Sequence, residues 1–171
     1  KELGLSVADK KESREICFVP DNDYASFIEK RVGEKNFHEG DIVNSNREVL
    51  GKHRGYPAFT IGQRKGLNIG GLKEPHYVTA IDPDKNEVVV GLKNSLFSSD
   101  FFANKVNWCL PRQDPFEAQV QIRYLHNGST ARVTPLPDKR VHIEFSEPEL
   151  SVTPGQSAVF YEDDCIVGGG W

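Results

Sequence analysis

Residues 116–145, FEAQVQIRYLHNGSTARVTPLPDKRVHIEF, decide the fold class. Three short strand candidates, 116–124, 129–135 and 141–145, follow one another through stretches punctuated by Asn, Gly and Pro. Two more lie downstream, at 157–161 and 165–167. Upstream, 77–81 and 87–90 flank a loop of Asp82, Pro83, Asp84, Lys85 and Asn86, and 41–43 and 49–51 flank Asn44, Ser45, Asn46 and Arg47. Both pairs read as hairpins. No helical periodicity interrupts the series after residue 40. Many short strands at close spacing without intervening helices predict a mainly β chain ending in a small closed barrel.

The first quarter of the chain reads differently. Ile16, Cys17, Phe18 and Val19 form a short apolar run stopped by Pro20, as a buried strand would be. Asp21, Asn22 and Asp23 then offer helix caps. Tyr24, Phe27, Ile28 and Val32 recur at helical spacing, so one helix is predicted over about 23–32, ended by Gly33. The expected organisation is a connector (1–15), a small mixed α/β central domain (16–75) and the barrel (76–171). The Gly-rich residues 66–74 serve as the linker.

The chain has 171 residues, 37% of them hydrophobic, enough for one ordinary domain or two small ones. No apolar run approaches the ~20 residues that span a bilayer, and no basic head with an apolar stretch opens the sequence. A soluble, cytoplasmic protein with no membrane partner is expected. Three cysteines, Cys17, Cys109 and Cys165, stand far apart with no CxxC, which argues against a secreted disulfide framework. The chain contains no Met, even at position 1, which favours a piece of a longer protein. Net charge is −4, yet residues 51–73 carry Lys52, Arg54, Arg64, Lys65 and Lys73 with no Asp or Glu. Such a stretch is either a solvated loop or a phosphate-binding surface.

Several chemistries lack their motifs. There is no GxxxxGK[ST], no GxGxxG, no GxSxG and no metal-ligand spacing among the five histidines, so this chain by itself should bind neither ATP nor a metal. Cys109 and Cys165 read as small apolar core residues. Cys17 sits between Ile16 and Phe18, and nearby Lys11 and Arg14 are offset by Glu12 and Glu15. Local chemistry therefore favours a structural role for it over a reactive thiolate.

A resemblance shifts that balance. Residues 13–20, SREICFVP, followed by Asp23, Tyr24, Phe27 and Ile28, are similar to the segment of the tRNA-specific 2-thiouridylases that carries their persulfide cysteine. GKHRG (51–55), FTIGQRKGL (59–67), IRY (122–124), VTPGQSAVFY (152–161) and GGG (168–170) resemble the same family in the same order. Together these matches cover most of the chain, and the TIGQRKGL and TPGQSAVFY strings are specific.

The resemblance implies an enzyme that replaces the 2-oxygen of the tRNA wobble uridine with sulfur. ATP and magnesium would be bound by a missing N-terminal adenylating domain, and none by this chain. Cys17 would carry a persulfide received from a sulfur-relay donor protein. It would then either deliver the sulfur as a nucleophile or release it when a second cysteine closes a disulfide. That second cysteine is not matched by Cys109 or Cys165. The barrel would resemble the six-stranded second domain of elongation factors. Arg123, Tyr124 and Gln156 would contact tRNA, with Lys52, Arg54, Arg64 and Lys65 as weaker candidates. Leu125 departs from the pattern, standing where many relatives carry a further Arg. Without the resemblance, Arg123 reads as a strand-edge ion-pair partner, Tyr124 as a core-lining ring and Gln156 as a turn-stabilising amide. A non-enzymatic RNA-binding barrel is the alternative for the whole chain.

Overall fold

A computed structural model describes residues 19, 23–33, 37–123 and 125–171. The strand expected at 16–19 lies outside these residues except for Val19, which is buried. The helix forms as the caps and spacing require. α1 (Tyr24–Val32) starts at Asp23, whose side chain accepts the Ser26 amide, and ends at Gly33, with φ 72°.

Four strands then make a first sheet: β1 (Gly40–Val43), β2 (Val49–His53), β3 (Tyr77–Asp82) and β4 (Glu87–Gly91), in the order β2-β1-β4-β3. β1 and β2 form the expected hairpin, as do β3 and β4. The central contact is a parallel pairing of β1 with β4, Ile42 opposite Val88, which no local pattern announces. It also moves the expected boundary: the unit that starts before residue 40 continues to Gly91, past residue 75. Residues 66–74 are not a free linker either. Leu67 is 4% exposed and packs with Ile42, Val78, Val88 and Val90, while Ile69 covers the same cluster.

The second sheet contains β5 (Phe97–Ala103), β6 (Asn107–Trp108), β7 (Phe116–Gln121), β8 (Ser129–Leu136), β9 (Arg140–Leu150), β10 (Ala158–Glu162) and β11 (Cys165–Gly170), in the order β5-β9-β8-β7-β10-β11-β6. It is strongly curled, as the strand pattern predicted. Alternate residues point inward, so that Ala118, Val120, Ala131, Val133, Val141, Ile143, Phe160 and Val167 fill one apolar core. β5 and β6 were not foreseen. They act as one bent strand that changes partner. Residues 97–103 pair with β9, then Asn104 exchanges two backbone hydrogen bonds with Trp171 (2.7 and 3.0 Å) and β6 pairs with β11. Counted this way, six strands curl round until the two ends of the sheet meet.

Glycine makes that seam possible. A Cβ on Gly168 would lie 2.8 Å from the Asn107 carbonyl oxygen, one on Gly169 2.7 Å from that of Ala158, and one on Gly170 2.6 Å from that of Asn104. Only a strand without side chains at these positions fits between its neighbours. Cys109 and Cys165 differ from expectation. Both are exposed thiols, because Cys109 follows the edge strand β6 and Cys165 opens β11 beside the Asp163-Asp164 turn. No helix among the described residues is long and apolar enough to cross a membrane.

His53 is 3% exposed at the end of β2, with Nε2 3.2 Å from the Asn86 carbonyl oxygen. Burial pushes its imidazole below the ordinary histidine range, only partly offset by Asn86 and Asp41. The folded chain therefore holds it neutral while the unfolded chain takes up a proton below about pH 6.5. Its contribution to stability is present above that pH and is lost as pH falls. Denaturant titrations between about pH 7 and 5 should show wild-type stability falling more steeply than that of His53→Gln. For the seam, Gly170→Ala should cost about 1–3 kcal/mol in urea unfolding, whereas Gly70→Ala, with no atom within 4 Å of the added Cβ, should stay within ~0.5 kcal/mol.

Candidate nucleic-acid interface

The basic string between the 3-10 turn at Tyr56–Ala58 and β3 is a shaped loop. The Gln63 side chain holds it from inside: its carbonyl accepts the Thr60 amide at 3.1 Å and its amide donates to the Lys65 carbonyl at 2.9 Å. The Gly62 amide donates to Val78 O and the Val78 amide to Gln63 O (2.8 and 2.9 Å), which fastens the loop to β3. Arg64 and Lys65 are left exposed, with no ion-pair partner among the described residues. Lys52 is different. Its Nζ lies 2.7 Å from Asp41 across β1 and β2, so it is not the unopposed charge that the sequence window suggested. Arg54 is exposed and near enough to Asp23 to help hold that carboxyl below its usual range, after the two Ser26 hydrogen bonds.

Arg123 follows β7, in the turn that leads to β8. Its Nη1 donates to the Leu150 carbonyl oxygen at 2.9 Å rather than to a carboxylate, leaving the other guanidinium donors available. Tyr124 lies outside the described residues. Leu125 has φ 58° and is 76% exposed, an unusual conformation for a bulky residue. His126 steadies this turn. The Ile122 amide points at His126 Nδ1 (3.4 Å), and His126 Nε2 lies 3.3 Å from Glu149, which also accepts the Ser129 hydroxyl. Burial opposes ionisation of Glu149, but the Ser129 and His126 contacts outweigh it and hold its carboxyl below the usual range. An acceptor role at Nδ1 makes Nε2 the protonated nitrogen of neutral His126.

Gln156 lies in the loop between β9 and β10. Ser151 (φ 56°) donates its amide to Leu96 O, and the Thr153 hydroxyl donates to Ser151 O, so the loop's shape is set before Gln156 is reached. The Gln156 amide group has no hydrogen-bond partner among the described residues, so the side chain is not the turn clamp it could have been. Instead, Gln156 lines an open cleft of about 840 Å³ together with Gln121, Arg123, Leu125, His126, Ser157 and Val159. The same loop meets the basic loop. Gly62 has φ 86°, and a Cβ there would lie 2.8 Å from the Ser151 hydroxyl oxygen. The positive φ favours glycine at Gly62, and the short distance shows how closely the two loops approach.

Three segments far apart in sequence thus come together: the loop bearing Arg64 and Lys65, the turn bearing Arg123, and the loop bearing Gln156. Cys17 lies outside the described residues. Gln63, His126 and Glu149 were not among the expected site residues; Gln63 shapes the basic loop, and His126, which also lines the cleft, pairs with Glu149 under the Arg123 turn. Only the polar character of Gln63 inside a glycine-bounded string could have flagged it.

Comparison with known proteins accords with this architecture. Residues 25–92 match the family model described as a tRNA methyl transferase PRC-barrel domain, and residues 98–171 the one described as an aminomethyltransferase beta-barrel domain. The interval between the two matches falls where the first sheet ends and the second begins. The tRNA-specific 2-thiouridylase MnmA of Geotalea uraniireducens is 48% identical over 169 residues, which is 98% of this chain and 44% of that protein. The enzyme of the same name from Carboxydothermus hydrogenoformans is 46% identical over 99% of this chain and 47% of its own length. The tRNA-specific 2-thiouridylase MnmA 2 of Syntrophus aciditrophicus is 43% identical over 99% of this chain and 55% of its length. The chain spans about half the length of the curated relatives it matches.

The geometry ranks the cations. Replacing Arg64 and Lys65 together by Ala should weaken RNA binding across sequences and lower the salt slope of log K by about 1–2, whereas Lys52→Ala, already occupied by Asp41, should change it less. Binding isotherms at several salt concentrations measure both.

Proposed function

Because the chain belongs to the tRNA-specific 2-thiouridylase family, we propose that it is the tRNA-gripping and sulfur-carrying portion of an enzyme that installs 2-thiouridine at the tRNA wobble position. The observation that carries the reading is the convergence of Arg123 and Gln156 on one open cleft, with the Arg64 and Lys65 loop fastened against its neighbour Ser151. Arg can fork onto phosphate, and a free amide such as that of Gln156 can donate and accept at a base edge or sugar. Lys52 and Arg54 remain secondary contacts, and Tyr124 completes the turn on family grounds.

In this reading Cys17 holds the sulfur. A thiolate that has accepted a terminal sulfur from a relay donor protein presents a nucleophilic persulfide. The family resemblance is the support for that role. ATP and magnesium belong to the adenylating portion of the enzyme. A cytoplasmic location, expected from the cysteine pattern, belongs to the same proposal. The non-enzymatic RNA-binding alternative shares the cleft and differs only at Cys17.

Cys17→Ser in the full-length enzyme should abolish 2-thiouridine formation and leave tRNA affinity unchanged, measured by nucleoside analysis and by binding. Thiolation by that variant would return Cys17 to a structural role. The 171-residue chain alone, given tRNA, ATP and a sulfur donor, should form no 2-thiouridine.

A further inference from the structure

The mouth of the barrel contains a second cavity beside the Arg123 cleft. It has a volume of about 360 Å³, near the small end of the ~300–1,000 Å³ range of ligand pockets. Phe101, Ile122, Val152 and Ala158 contribute apolar lining from the core side, and Phe102 and Trp171 line it as exposed rings. Phe102 is 52% exposed and Trp171 54%, unusual for rings that a sheet could have covered. Two side-chain amides, Asn104 and Gln156, line the cavity as well and have no hydrogen-bond partner among the described residues.

We propose that this cavity receives one unstacked nucleobase of the bound RNA, stacked against the aromatic rim and met at its edge by the Asn104 and Gln156 amides. The inference rests on the RNA-binding reading above and extends it from phosphate contact to base capture. Four observations favour a base over other occupants. Gln156 lines both cavities, so a strand lying in the Arg123 cleft passes the mouth of this one. The lining contains no Lys or Arg side chain, which makes it a poor phosphate site. Lys105 lies 5.4 Å from the Trp171 ring, placing a cation at the rim, where a backbone phosphate would run. Free donors and acceptors next to aromatic faces are what an unpaired base, with its π face and hydrogen-bonding edge, can satisfy together.

The rim is set in advance. The Trp171 backbone is bonded in both directions to Asn104, and the Phe102 ring is stacked on His142 at 4.5 Å with Arg140 5.5 Å from its centroid. The Phe102 ring needs little ordering when a base enters, and the Trp171 backbone is already fixed, which reduces the entropy cost of binding.

The test uses the 171-residue chain with two RNAs: a stem-loop, and the same stem-loop with its loop bases removed to leave abasic sugars. Wild type should prefer the intact loop by about tenfold or more, the usual effect of one aromatic stacking contact. Trp171→Ala and Phe102→Ala should each lose most of that preference while keeping the wild-type salt slope, and Trp171→Phe should restore much of it. Arg123→Ala should do the reverse, lowering the slope by about 1 and keeping the preference. Equal wild-type binding to both RNAs, or a preference that survives both truncations, would overturn the base pocket while leaving the RNA-binding reading intact. No binding to either RNA would overturn that reading, and the pocket with it.

Discussion

The structure depends on a strand with no side chains at the seam of the second sheet. Gly168, Gly169 and Gly170 let β11 press so closely against Asn107, Ala158 and Asn104 that any Cβ would meet a backbone oxygen. Because β11 fits, the bent stretch 97–108 can leave β9 and join β11, and the paired amides of Asn104 and Trp171 tie the two ends of the sheet together. Closure protects the edge strands and buries Phe160 and Val167 completely. It also fixes where Trp171, Asn104 and the loop after β9 lie, and those residues line the barrel mouth.

A chain of net charge −4 does not attract nucleic acid through its overall field. In the proposed RNA-binding role, local presentation has to do so. Gln63 shapes the loop that exposes Arg64 and Lys65, Leu150 orients Arg123, and the His126, Glu149 and Ser129 group braces the turn beneath it. Arg123 is held by a carbonyl and Arg64 and Lys65 are displayed by a shaped loop, and none of the three has a carboxylate partner among the described residues. Lys52 is the contrast. Its Asp41 partner stabilises the β1-β2 hairpin, and the ammonium is correspondingly less available.

Much of this could be read from the residues, for identifiable reasons. The helix and both hairpins of the first sheet followed from local signals, since Asp23, Gly33 and the short polar loops act within a few residues of themselves. The same holds for β7 to β11. The β1-β4 pairing, and with it the boundary beyond residue 75, did not, because parallel pairing across more than forty residues has no local signature. Residues 66–74 looked like a linker by glycine content, and only Leu67 in the core reveals that they pack. β5 was hidden because Phe97, Ser98, Ser99 and Asp100 do not form an apolar run and its faces are mostly exposed. The exposed thiols Cys109 and Cys165 were misread as core because residue type alone does not distinguish an edge from an interior. The family resemblance supplied Arg123, Gln156 and the basic loop as candidates; that the basic loop meets the Gln156 loop at Gly62 and Ser151, and that Arg123 bonds Leu150, are tertiary facts.

The central claim is that three segments, 60–66, 121–126 and 151–157, form one RNA-binding face. Amide hydrogen exchange of the chain, free and saturated with tRNA, measures it most directly. The account predicts that binding slows exchange in all three segments together, with little change in β8 and at the Arg47 hairpin loop. Protection confined to the first sheet, or spread over β8 while the three segments stay unchanged, would contradict it.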